Sequence, residues 1–255
     1  MTDFSETARM VAAIHAKRVV VDGHCHLAKG IVTHREEGER EVFKNRFLPI
    51  LRKGGVKVLC AIIGGDNISM VNGSDLFLWG TLYVLDHCLS EFEANEDVVS
   101  VCTTAVQIDA SLSARKIAVV LAIEGGRPLE GRPMQDELST LRIFHRLGVR
   151  SLQLTCNGRN KLADGVAEGG TGGGLTRFGQ NVVKEARRLG MLLDISHLAP
   201  AGVVDVLALS DDPIVASHAN ARKICDHPRN LDDDLIREIA RRGGVVGLTL
   251  FSTLI

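Results

Sequence analysis

What most limits the fold of this chain is an alternation repeated along its whole length: short, continuous aliphatic runs separated by amphipathic stretches of helical length. The runs are VVVDGH (19–24), VKVLCAII (56–63), IAVVLAIEG (117–125), VRSLQLT (149–155), MLLDISH (191–197), PIVASH (213–218) and GVVGLTLF (244–251). Each reads as a buried parallel strand, continuous rather than alternating in hydrophobicity. Helices are expected between them over 4–17, 38–53, 74–95, 134–147, 176–190, 200–209 and 232–242, and 98–116 reads as a short extended piece followed by a helix. Thr176 and Asp232 stand where N-caps belong, and Gly190 and the Gly243–Gly244 pair stand where helices stop. Repeated strand–helix units imply right-handed crossovers and a parallel sheet. Polar residues collect just past the C-terminal ends of several different runs. That placement favours an α/β barrel of the TIM-like (β/α)8 kind over an open doubly wound sheet, whose ligand would gather at one switch point.

Composition narrows the functional classes. The 255 residues carry 30 Lys and Arg against 31 Asp and Glu, a net charge of −1, and 4% aromatics. There is no basic footprint for nucleic acid and little material for base stacking. With 45% hydrophobic residues the chain can bury a substantial core, and barrels run to about 250 residues as one unit, so residues 1–255 are read as a single domain. No apolar run reaches the roughly 18 residues of a membrane span, and the N-terminus lacks a secretory pattern. The six cysteines, Cys25, Cys60, Cys88, Cys102, Cys156 and Cys225, are scattered without a CxxC pair. Reduced thiols and a cytoplasmic location are therefore expected.

Chemistry-bearing residues sit at the exits of the runs. DGHCHL places His24 and His26 two apart, on one side of a strand. AIEGG places Glu124 after an apolar strand, where an unpaired carboxylate would be costly. DISH and ASH end two further strands with His197 and His218. A lone histidine after a strand is more often a core or rim residue. Four histidines and one glutamate at four strand exits suit a two-metal site, with two imidazoles per ion and Glu124 between them. Ligands of this kind favour Zn2+, with Mn2+, Fe2+ or Co2+ as alternatives. Asp22 and Asp194 are candidates to orient His24 and His197 from behind. His15, His87 and His145 fall inside helix candidates, and His34 and His227 in loops. The glycine-rich stretch 167–179 lacks the strand and GK[ST] ending of a phosphate loop and reads as a connection after a strand.

DGHCHL, AIEGG, SLQLTCNGRN, GLTRFGQNVVKEARRLGMLLDISH and PIVASHANARKICDHPRNLDDDLIREIARRGGVVGLTL resemble, in order and spacing, the membrane dipeptidase family of zinc peptidases. The resemblance runs over roughly residues 19–251. It implies a TIM-like metallo-hydrolase barrel with two zinc ions at its mouth and a dipeptide substrate, often with a D-residue at the C-terminal position. It places metal ligands at His24, Glu124 (bridging and catalytic), His197 and His218, a carboxylate-gripping arginine at Arg229, and substrate contacts at Cys156 and Asn157. Three departures stand out. The family's HxD is His24-Cys25-His26 here, with His26 able to ligate, and the family's histidine after the fourth strand is Cys156. The eighth strand, with the aspartate that shuttles protons, is not matched, so the barrel is expected to lack strand eight. The expected partners are a small dipeptide-like substrate and a second copy of the chain, without nucleic acid or membrane. Other amidohydrolase chemistry, such as deamination or cyclic-amide cleavage, and a catalytically incomplete metal-binding subunit are the alternative readings.

Overall fold

The structure, a computed structural model, describes residues 4–66, 76–130 and 137–255. In chain order its main elements are α1 (Phe4–Lys17), β1 (Val20–Cys25), α2 (Leu27–Glu36), α3 (Leu48–Lys53), β2 (Val56–Gly65), α4 (Phe77–Ala94), β3 (Val99–Val101), α5 (Ala105–Ser113) and β4 (Ile117–Glu124). There follow α6 (Ser139–Arg146), β5 (Val149–Gln153), α7 (Arg177–Arg188), β6 (Leu192–Asp194), α8 (Pro200–Leu209), β7 (Val215–Ala216), α9 (Asp233–Arg241) and β8 (Val245–Val246). The starts of the 74–95 and 134–147 helix expectations lie outside the described residues.

All ladders are parallel, in the order β1-β2-β4-β5-β6-β7-β8, with β3 paired to the start of β4. Strand β4 lies inside this sheet, paired with β2, β3 and β5, and is buried at every residue, as its run of seven apolar residues demands. The helices cover the outer face. α7 turns Val182, Val183 and Ala186 inward, and α9 turns Ile239 inward. Both expected caps are made: Thr176 accepts from Gly179 N at 3.0 Å and Asp232 from Leu235 N at 2.8 Å.

The sheet is a strongly curled half-barrel of the TIM-like kind. The expected strand count is corrected. The sheet has eight strands, and the additional one is β3, a three-residue piece of the 98–116 stretch. Among the described residues β1 and β8 are not paired with each other. The curl still brings their neighbourhoods together, since a Cβ added at Gly23 on β1 would stand 3.3 Å from Ser217 O beyond β7. The last run is shorter in the sheet than its sequence suggests. Only Val245 and Val246 pair, while Leu248, Leu250 and Phe251 are exposed. The 38–53 helix resolves into a π-helical turn, Phe43–Phe47, leading into α3, and His34 lies on α2 rather than in a loop. Among the described residues no helix is long and apolar enough to cross a membrane.

Candidate functional site

Parallel strands deliver their C-terminal ends to one rim, and five side chains meet there. Glu124 ends β4, is 3% exposed, and each of its two oxygens faces a different side of the cluster. Oε2 lies 3.6 Å from His24 Nε2 and 3.4 Å from His26 Nε2. Oε1 lies 3.3 Å from His197 Nε2 and 3.8 Å from Cys156 Sγ. His24 and His26 bring their Nε2 atoms to 3.0 Å, and His197 and His218 theirs to 2.7 Å. His218 also lies against His24, with ring centroids 3.8 Å apart. Histidines and a carboxylate remote in sequence thus share one cavity. His26 is the outermost, its side chain 57% exposed against 8% for His24.

The backbone aims these groups deliberately. His197 is held at φ +66°, a left-handed conformation that costs a β-carbon-bearing residue on the order of 1 kcal/mol; such strain gathers at functional sites. Its carbonyl accepts from Val166 N at 2.7 Å and Thr155 Oγ1 at 3.3 Å, which pins the turn. Gly125, just past Glu124, has φ +98°, and a Cβ there would collide with the Asp66 carboxylate. That carboxylate accepts from Arg127 N at 2.9 Å, Cys156 N at 3.2 Å and Asn160 Nδ2 at 3.2 Å, tying the loops after β4 and β5 together.

A second layer fixes the imidazoles. Asn157 Oδ1 lies 2.6 Å from His197 Nδ1. Ser217 Oγ lies 2.8 Å from His218 Nδ1 and 3.4 Å from His24 Nδ1, and it donates to Asp194 Oδ2. Asp194 Oδ1 accepts from Ser196 N at 2.9 Å and Ser217 N at 3.1 Å. Asp194 therefore acts on His218 through Ser217, not on His197 as expected from its place in DISH. Asp22 accepts from the His24 backbone N at 3.1 Å. Sequence reading gave no site role to Ser217, Asp66 or His227; the available signal was the Ser that precedes both His197 and His218. His227 Nδ1 accepts from Arg229 N at 3.1 Å and so helps set the arginine. Arg229 is 9% exposed, and Nη2 reaches His218 O at 3.3 Å. His15, His87 and His145 lie on α1, α4 and α6, as expected.

Electrostatics suit a cation centre. Burial pushes the Glu124 carboxyl up, but the hydrogen bond from His24 and the surrounding imidazoles outweigh it and hold it down at about 2. Burial, reinforced by Arg229, takes His197 down to about 3; burial also lowers His218 and His26. Neutral His197, His218 and His26 beside an ionised Glu124 are in the protonation states that metal binding requires. Two overlapping sets, His24–Glu124–His218 and Glu124–Cys156–His197, each have ligand atoms within 4.8 Å of one another. Carboxylate–imidazole separations of 3.3, 3.4 and 3.6 Å match the edge of about 3.3 Å that tetrahedral zinc bond lengths dictate. The residues present fit divalent cations.

Comparison with known proteins places the chain in a family. Dipeptidase verJ of Clonostachys rogersoniana is 31% identical over 203 residues, 78% of this chain and 51% of that protein. Dipeptidase 3 of Mus musculus is 36% identical over 141 residues, 53% of this chain and 28% of that protein. The chain thus spans about half or less of the length of these curated relatives. A metallo peptidase from Rhodobacter sphaeroides, solved with a phosphinate mimic of the dipeptide L-Ala-D-Ala, superposes with TM-score 0.78 at 26% identity, covering 92% of this chain and 75% of that one. The family pattern described as membrane dipeptidase, peptidase family M19, matches residues 8–255. This chain is therefore a member of the membrane dipeptidase family.

Proposed function

We propose that the chain carries the active site of a metallo-dipeptidase that holds two zinc ions, with Glu124 bridging them and His24, His26, His197 and His218 as the nitrogen ligands. One observation carries the reading: the two oxygens of a single buried carboxylate face different histidines, His24 and His26 on one side and His197 on the other. Manganese, iron or cobalt would suit the same donors. Bound cations of this kind supply a water deprotonated near neutral pH and an electrophile for the scissile carbonyl.

The chain's own residues do the rest. Glu124, ionised and buried, balances charge on both sides of the cluster. Asn157 and Ser217 keep the Nδ1 atoms of His197 and His218 engaged, so that their Nε2 atoms face the mouth. Arg229, buried beside His218, offers a planar two-point grip for the free C-terminal carboxylate of a dipeptide. The relatives named as dipeptidases and the dipeptide mimic bound to the Rhodobacter sphaeroides enzyme support this substrate class.

The test is dipeptide hydrolysis by protein of known metal content. Two equivalents of metal, loss of activity with a chelator and recovery on adding zinc are expected. Arg229→Ala should raise KM for free-carboxylate dipeptides far more than it lowers kcat. Metal-free protein from chelator-free purification would overturn the reading, as would ammonia release from nucleobases with dipeptides untouched.

A further inference from the structure

We propose that the Cys156 thiolate is itself a metal ligand, completing with Glu124 and His197 the donor set of one of the two cations. The inference rests on the metal reading above and adds a sulfur ligand to it. Cys156 lies just past β5, is 9% exposed, and its backbone is fixed by the hydrogen bond to Asp66 at 3.2 Å. Its Sγ stands 3.8 Å from Glu124 Oε1, and the ligand atoms of Cys156, Glu124 and His197 all lie within 4.8 Å of one another. A thiolate and a carboxylate sharing a tetrahedral zinc ion, with Zn–S of about 2.3 Å and Zn–O of about 2.0 Å, have their donor atoms about 3.5 Å apart. The observed separation needs only a small closure.

Charge favours the same assignment. Four neutral imidazoles and one carboxylate bring a single negative charge to two dications; a thiolate brings a second. Arg229 lies within electrostatic reach of both Cys156 and Glu124, so an anionic sulfur would have a cationic neighbour. Binding would break the S–H bond, release the proton to solvent and form the sulfur–metal bond, with no change of oxidation state. No other cysteine joins such a set among the described residues.

Cobalt reads this directly. Metal-free protein loaded with Co2+ is expected to show an intense near-ultraviolet thiolate-to-cobalt charge-transfer band. Cys156→Ser should lose that band while keeping the visible ligand-field bands from the imidazole donors. Wild-type protein offers an independent readout that needs no variant. Alkylation of Cys156 by iodoacetamide, mapped by mass spectrometry, should be blocked by bound Zn2+ and restored by chelator. If cobalt binds and dipeptides are cleaved but no charge-transfer band forms, or the band survives Cys156→Ser, or Zn2+ leaves Cys156 equally reactive, the sulfur ligand is refuted and the dipeptidase reading stands. If no cobalt binds at all, both fall.

Discussion

Asp194→Asn separates a side chain that shapes the metal site from one that merely holds the fold. Three donors converge on Asp194: Ser196 N at 2.9 Å and Ser217 N at 3.1 Å on Oδ1, and the Ser217 hydroxyl on Oδ2. A carboxylate only accepts, so the Ser217 proton is committed to it. Ser217 Oγ must then accept at its 2.8 Å contact with His218 Nδ1, which puts the imidazole proton on Nδ1 and leaves Nε2 bare for a cation. In the variant the amide oxygen stays with the two backbone N–H groups, because an NH2 there would face two donors. The amide nitrogen replaces Oδ2 and donates to Ser217 Oγ. The serine proton turns to His218 Nδ1, and the imidazole proton moves to Nε2, where a metal must displace it. Losing an outer partner of this sort costs 10–100-fold in metal affinity, or about 1.4–2.7 kcal/mol. Exchanging charge-assisted for neutral hydrogen bonds costs about 1–2 kcal/mol of stability, a few degrees in Tm for a chain of this size. The assay is chelator competition for zinc, read beside thermal unfolding of the metal-free protein. Zinc affinity within twofold of wild type, with Tm lowered, would refute the relay and leave Asp194 a backbone clamp.

Glu91 is fully buried and accepts from Arg35 Nη1 at 2.7 Å, Phe43 N at 2.8 Å and Asn95 Nδ2 at 2.8 Å. Glu91→Ala leaves the partly buried Arg35 guanidinium, the Phe43 N–H and the Asn95 amide without their shared acceptor and should cost about 3 kcal/mol in urea unfolding; a loss below about 1 kcal/mol would show the pair to be dispensable. Glu185 is held down at about 2 by Arg188 and, against burial, by Arg142. Its carboxyl is thus depressed in the folded state, and its contribution is present above the ordinary value of 4.5 and lost as pH falls toward 2. The linkage limit of about 3.4 kcal/mol shrinks to about 1–2 with Arg188 in solvent, so Glu185→Gln should flatten the fall of Tm between these pH values, and an unchanged slope would reject the assignment. Gly179 begins α7 against the Leu162 carbonyl, where a Cβ would collide. Gly179→Ala should therefore lower Tm despite alanine's helix advantage of about 1 kcal/mol, and a higher Tm would contradict the packing. His145→Ala, on α6 and far from the rim, should leave bound metal unchanged by elemental analysis.

Hydrophobic continuity made the long strands legible. β2 is apolar from Val58 to Ile63 and β4 from Ile117 to Ile123, and both were readable to within a residue or two. β3 was legible only as the short extended piece at the start of 98–116, because three residues, Val-Ser-Val, carry no period, and its partners are only the first residues of β4. The last run misled for the opposite reason. GVVGLTLF reads as one strand, yet the ladder needs a partner at every residue. Gly247 still bonds backbone to backbone, its N–H to Ala216 O and its carbonyl from Ala219 N, and beyond it the Asn220 side chain takes up both the N–H and the carbonyl of Thr249. Of the site, the residue types and strand-end positions were legible, since a glutamate or histidine at the exit of a buried strand has few inexpensive environments. What they touch was not. Nothing in DISH tells that Asp194 serves the histidine of the next strand, because that link exists only once β6 and β7 lie side by side.

The shortness of β6 and β7 is the structural counterpart of that link. Their ladder pairs one residue with one, Asp194 with Val215, although both runs are apolar enough to continue. Past that point Ser196 N and Ser217 N go to the Asp194 carboxylate and His218 N to Ser196 Oγ at 3.3 Å. The backbone donors that would extend the sheet are used to place the two histidines, so sheet and site compete for the same N–H groups, and here the site wins. Hydrogen exchange tests this trade. In Asp194→Asn the amides of Ser196 and Ser217 should keep an acceptor and exchange near the wild-type rate, whereas Asp194→Ala removes it and should speed both by the one to two powers of ten that a lost hydrogen bond of about 1.5–3 kcal/mol implies. Equal protection in the alanine variant would mean that the strands simply lengthen to recapture the donors, and that the early end of the ladder owes nothing to Asp194.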